Sequence, residues 1–198
     1  MYNRYIGLLE DLKELNRQVE EKAINDDLFI SNNINFFTKS FTITSCAYLE
    51  SFIKDISMVF IDHCNSVLNS IKIAHNVVKW SVSRKDSLQE LKENELKFED
   101  LRINIGRDDL DDFISGNPYR TEKLFQKFGI KLTDYSEFSI LKEKIMSIVN
   151  KRNKIVHHND SASDLSFADI SANIEDLKNY VDLLNLAILN AMNTPHNN

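Results

Sequence analysis

The sequence predicts an all-α fold, a bundle of four to five main helices, and two observations predict it. Only four glycines and two prolines interrupt 198 residues, far fewer than a turn-rich sandwich or barrel requires. Over long stretches the apolar residues recur at intervals of three and four, the spacing that lines one face of a helix. The length supports one substantial core and is a little long for the commonest domain, so a single domain spanning 1–198 and carrying an insertion is expected.

The first helix is expected at about 2–23, where Tyr5, Leu8, Leu9, Leu12, Leu15 and Val19 keep helical spacing, and Asn25-Asp26-Asp27 breaks it. A longer pattern follows over about 32–63, with Phe37, Phe41, Tyr48, Phe52, Ile56 and Phe60 along one side; it is the expected spine of the bundle. Val67, Leu68, Ile71, Val77 and Val78 continue helical spacing from Ser66 to Trp80. Ser83-Arg84-Lys85-Asp86 then opens a charged stretch to Glu99, read as a solvated helix or extension in which Leu88, Leu91 and Leu96 are the main apolar residues.

Gly106, Gly116 and Gly129, with the turn signal Asn117-Pro118, fall within 101–135, so a charged and irregular insertion is placed at about 81–135, with short helices such as Arg120 to Phe128 inside it. Periodicity returns at about Ser136 and runs to Lys154, and the turn formers Asn159 and Asp160 end that helix. Ser166 reads as the N-cap of the last one, with Asp169 as a capping-box partner shorter than the usual Glu. The closing helix is expected over 167–192, with Ile170, Ile174, Leu177, Val181, Leu184 and Ile188 toward the core.

With 24 basic and 30 acidic residues the chain carries a formal charge of -6, the wrong sign for coating a duplex by charge neutralisation. A local basic patch that meets RNA stays open. Cys46 and Cys64 would stand roughly 27 Å apart on one helix, beyond disulfide reach. Two cysteines in such a chain suit a reducing compartment. No apolar run approaches the ~20 residues of a membrane span, and no signal-peptide core follows Met1-Tyr2-Asn3-Arg4. The expectation is a cytoplasmic protein without membrane contact.

Chemistry concentrates in one segment. Leu141, Ile145 and Ile148 step along one helix face, and seven residues past Ile145 that face reaches Arg152, after which Ile155 and Val156 resume the apolar pattern. An arginine on a buried face requires an anion, whether a carboxylate of the fold, a partner chain or a phosphate. Lys151, Arg152 and Lys154 also suit the carbonyl end of a helix dipole, which is the ordinary reason for such a cluster. His157 and His158 follow directly. Adjacent histidines rarely chelate one ion, His63 and His75 lack a third ligand, and no His-Glu-x-x-His or paired-Cys spacing occurs, so neither metal nor cofactor is expected.

Arg152-Asn153-Lys154-Ile155-Val156-His157-His158 resembles the motif of HEPN domains, in which an Arg and a polar residue are followed by a His, with four to six residues between Arg and His. His157 meets the shortest spacing and His158 the next. Ala47-Tyr48-Leu49-Glu50-Ser51-Phe52-Ile53-Lys54 resembles the earlier family helix bearing an acidic residue, and the 166–192 helix resembles the closing one. The likeness is closest to the RiboL-PSP-HEPN-like group and covers about 1–80 and 136–192. It implies an up-down helical bundle, a homodimer, and a metal-independent endoribonuclease, in a family whose members often act as toxins or in phage defence under the restraint of a partner such as an antitoxin.

On that resemblance, His157 or His158 is the base that takes the proton of a ribose 2′-hydroxyl, since imidazole titrates near neutral pH. Arg152 binds the extra negative charge of the phosphorane through its planar fork. Asn153 orients the phosphate, Lys154 adds a substrate-binding charge, and Glu50 holds Arg152 or a histidine. Glu50 shares a stripe with Cys46, Ile53 and Ser57, whose small members allow close helix approach; an exposed Glu on a long helix fits the same spacing. Two other readings use the same residues: a non-catalytic HEPN module that binds RNA, a nucleotide or a partner protein, and a scaffold in which Arg152 and Glu50 form a structural pair.

Overall fold

The computed structural model describes the chain except residues 26, 72, 83–99, 159–161 and 194–198, and except the side chains of 76, 79, 80, 82 and 158. The charged stretch from Ser83 to Glu99 and the turn formers Asn159 and Asp160 therefore lie outside the described residues. The described chain forms α1 (Tyr2–Ile24), α2 (Leu28–Asn32), α3 (Ile34–Asn69), α4 (His75–Val82), α5 (Pro118–Lys127), α6 (Phe138–His158) and α7 (Phe167–Asn193), with 3-10 turns at Asp108–Leu110 and Leu132–Asp134. Extended pairing among these residues is limited to an isolated bridge between Ala74 and Asp100, so the fold is all-α. No helix among them is long and apolar enough to cross a membrane.

Two compact units emerge: Met1–Ile56 with Leu110–Asn198, and Ser57–Asp109. The expected insertion at 81–135 is thus divided between them. In the first unit α7 packs against both α1 and α6, while α5 and the Leu132–Asp134 turn pack against α6. Leu9, Phe52, Phe125, Phe138, Ile145, Ile174 and Tyr180 are fully buried there. All the apolar positions expected to face the core from α7 are buried. Its start is closed reciprocally: the Asp169 N–H donates to Ser166 Oγ at 3.1 Å and the Ser166 N–H donates to Asp169 Oδ2 at 2.9 Å. A carboxylate one methylene shorter than Glu completes the box.

α1 buries Tyr5, Leu9, Leu12 and Val19, but Leu15 is half exposed, contrary to the stripe expected from spacing alone. At about 100° per residue, Leu15 lies at the edge of that face and Asn16 lies inside it. Asn16 is accordingly buried, and its Nδ2 donates to Phe167 O at 2.8 Å and Ser171 Oγ at 2.9 Å on α7. The Tyr5 hydroxyl donates to Asp55 on α3 at 2.6 Å, and its ring packs edge-on against Phe52.

In the second unit, the pattern read as continuous from Ser66 to Trp80 is broken: α3 ends at Asn69 and α4 begins at His75. Ser70 explains the break, because its hydroxyl donates to Val67 O at 2.6 Å while the Ser70 and Ile71 N–H groups close tighter turns on Val67 and Leu68. Asn65 exchanges two hydrogen bonds with the backbone of Ile103. Cys46 and Cys64 both lie on α3 and are free thiols.

Candidate functional site

α6 buries Leu141, Ile145, Ile148, Val149 and Ile155, and the side of the helix they define brings Arg152 against α3. The Arg152 side chain is 19% exposed, and its Nη2 donates to Oε1 of Glu50, whose side chain is 29% exposed. Nη1 donates to Asn153 Oδ1 at 3.1 Å. On α3 the stripe carrying Glu50 is otherwise fully buried at Cys46, Ile53 and Ser57, which is why the carboxylate faces a neighbouring helix rather than water. Burial pushes the Cys46 thiol up to about 11; Arg152 draws it down and Glu50 raises it. The thiol is therefore neutral beside the pair.

The segment leading into α5 forms a second wall. Asp111 pairs with Lys54, one helical turn beyond Glu50 on α3. Gly116 adopts φ +59, and a Cβ added there would lie 3.2 Å from Glu50 Oε1, 3.4 Å from Glu50 Cγ and 3.5 Å from Val149 Cγ2. Asn117 then caps α5, accepting from the Tyr119 N–H at 2.9 Å, with Pro118 in the first helical position, where its missing N–H costs nothing. Sequence reasoning marked Gly116 and Asn117-Pro118 as a turn but did not connect them to Glu50; nothing in their spacing names the residue they approach.

The histidines leave α6 in other directions. His157 is exposed, and five residues past Arg152 it stands about 140° around the helix and about 7.5 Å along it. His158 closes the helix, and its side chain lies outside the described residues. Lys154 is exposed, about 200° from Arg152. Lys151 pairs with Asp164 at 2.5 Å. Of the residues expected in the site, one chain thus brings together Glu50, Arg152 and Asn153, and leaves His157 and Lys154 facing solvent elsewhere. Among the described residues, no group of three or more His, Cys, Asp or Glu is placed to hold a metal ion.

The arrangement offers a permanently charged fork, anchored from behind by a carboxylate, with a solvent-facing imidazole elsewhere on the same helix. The profile of the RiboL-PSP-HEPN family matches residues 7–190. No curated protein and no solved structure matches the chain.

Proposed function

Because the chain belongs to the RiboL-PSP-HEPN family, we propose that it is a metal-independent endoribonuclease that cleaves RNA at a site composed by two copies. The observation that carries this reading is the anchored Arg152 of α6 followed, at the motif spacing, by the exposed His157. His157, or His158 in its place, takes the proton of a ribose 2′-hydroxyl as that oxygen attacks the adjacent phosphorus. The bond from phosphorus to the 5′-oxygen breaks, and a second imidazole returns a proton to the leaving oxygen. The products are a 2′,3′-cyclic phosphate and a free 5′-hydroxyl.

Arg152 uses the donors that Glu50 and Asn153 leave over to bind the phosphorane oxygens, whose charge grows toward the transition state. The Asn153 amide nitrogen orients the phosphate, and the exposed Lys154 tracks the backbone. About 140° between Arg152 and His157 on one helix disfavours a site within one chain. A two-fold pair that brings the motifs of both copies face to face at one cleft supplies the fork, the base and the acid. We read the chain as a cytoplasmic effector of the toxin or phage-defence kind, held in check by a partner protein.

Cleavage of a mixed RNA pool in EDTA tests this directly. Wild-type protein is expected to give cyclic phosphate ends, and His157→Ala to lower the rate by about 10²–10⁴ without changing Tm, the size expected for an exposed acid-base group. His158→Ala shows which imidazole is the base. Absence of cleavage by clean wild-type dimer favours the second reading, a non-catalytic module that binds RNA, a nucleotide or a protein. Two observations support that alternative: Arg152 already has a carboxylate, and the net charge is -6.

A further inference from the structure

The approach of the Ser115–Gly116 turn to Glu50 has no part in the reaction above, and the geometry points to one. We propose that Gly116 is a positioning residue: its missing side chain lets the turn close against the Glu50 carboxylate and hold it on Arg152, which fixes where the guanidinium points. This deepens the endoribonuclease reading and rests on it for its catalytic part only.

Three features meet at this turn. The segment meets the same face of α3 twice, through the ion pair of Asp111 with Lys54 and through the close approach of Gly116 to Glu50, residues one helical turn apart. The atom nearest the absent Cβ, Glu50 Oε1 at 3.2 Å, is also the atom that accepts from Arg152 Nη2. A methyl at Gly116 therefore requires a shift of a few tenths of an ångström at the oxygen that anchors the arginine. Val149 Cγ2 would lie 3.5 Å from the same Cβ, so the space a side chain would take at 116 is bounded by Glu50 on α3 and by α6.

Gly129 supplies an internal control. It too is left-handed, at φ +77, but a Cβ there would meet nothing within 4 Å. An alanine at 129 therefore feels only the backbone preference, whereas one at 116 feels that preference and the contact with Glu50. Subtracting the two isolates the contact. Glu50→Asp withdraws the oxygens by one methylene and gives the added methyl room.

The test is a thermal cycle on the full chain with Gly129→Ala, Gly116→Ala, Glu50→Asp and the combination of the last two. Gly129→Ala is expected to lower Tm by about 2–4 °C and Gly116→Ala by about twice that. In the Glu50→Asp background, Gly116→Ala should cost no more than Gly129→Ala does. Should Gly116→Ala fail to fold, recovery of folding in the Glu50→Asp background supports the proposal, and failure to recover overturns it. Equal losses from Gly116→Ala in both backgrounds also overturn it.

Cleavage kinetics give the readout that packing alone would not move. Gly116→Ala is expected to lower kcat about tenfold or more while KM changes less than about twofold, the pattern of an interaction made mainly in the transition state. Gly129→Ala should leave both unchanged, and a kcat kept at the wild-type value by folded Gly116→Ala overturns the catalytic part. If the wild-type chain cleaves no RNA, the endoribonuclease reading falls, while the thermal cycle still decides whether Gly116 positions Glu50.

Discussion

Lys151 and Arg152 are neighbours on α6, and each meets a carboxylate, yet the two pairs have little else in common. The cations are similarly covered, at 16% and 19% exposure; their partners are not, with Asp164 67% exposed and Glu50 only 29%. Asp164 belongs to the stretch between α6 and α7, where water competes for it. Glu50 comes from the stripe of α3 that is otherwise buried. With the cations similarly covered, the partner's surroundings decide how much the ion pair matters: an exposed carboxylate stays solvated and screened, whereas a covered one is costly to leave without its cation. One helical step thus separates a surface pair from the anchor of the candidate site.

Breaking the inner pair should have the largest effect. Arg152→Ala leaves Glu50 facing Cys46 and Gly116 without its cation, and urea unfolding is expected to show a loss of about 2–3 kcal/mol, somewhat below that of a fully buried pair. Arg152→Lys should restore most of that stability but not cleavage, because an ammonium cannot reproduce two parallel donors. A stability for Arg152→Ala equal to wild type would erase the distinction between the two pairs.

Ser166→Ala is expected to come next, at about 1 kcal/mol by the same measurement, from the lost cap of α7. It also carries a pH signature. Ser166 holds the Asp169 carboxyl below its ordinary range, so its stabilisation is complete above about pH 4 and is lost as pH falls through the depressed value. A profile of Tm against pH should therefore have a flatter acid limb in Ser166→Ala. Lys151→Ala is the smallest: Tm near neutral pH should not change measurably. Asp164, which Lys151 also holds below its ordinary value, should move back up in a carboxyl NMR titration.

The helices were legible in the sequence wherever one periodicity ran without interruption. α7 and the buried positions of α6 follow from spacing because each presents a single apolar face to a single core. Arg152 stood out for the same reason, as a charge on an apolar stripe. Asn16 did not, because attention to apolar residues passes over a polar one inside their arc. Ser70 ended α3 through a side chain bonding its own turn, which a pattern of apolar residues does not register. Glu50 was legible as a stripe member with Arg152 or a histidine as its expected partner, but spacing alone did not choose between them, since pairing depends on which helices pack. Gly116 lay furthest from view: the turn was readable, and the carboxylate 3.2 Å from its absent side chain was not.

Asn16 gives the bundle a property that apolar packing cannot. Leucines tolerate a slide of one helix past another, because one methyl group is much like the next. An amide fastened to Phe167 O and Ser171 Oγ tolerates none, because a displacement of one turn would strand its donors in a dry interior. The residue therefore acts as a vernier mark, sacrificing some stability for a single alignment of the first helix on the last. Phe167, to which it is fastened, lies inside the capping box, directly after Ser166, so the phase set near the amino terminus is handed to the start of the closing helix and, through the packing of α7 on α6, to the helix that carries the motif.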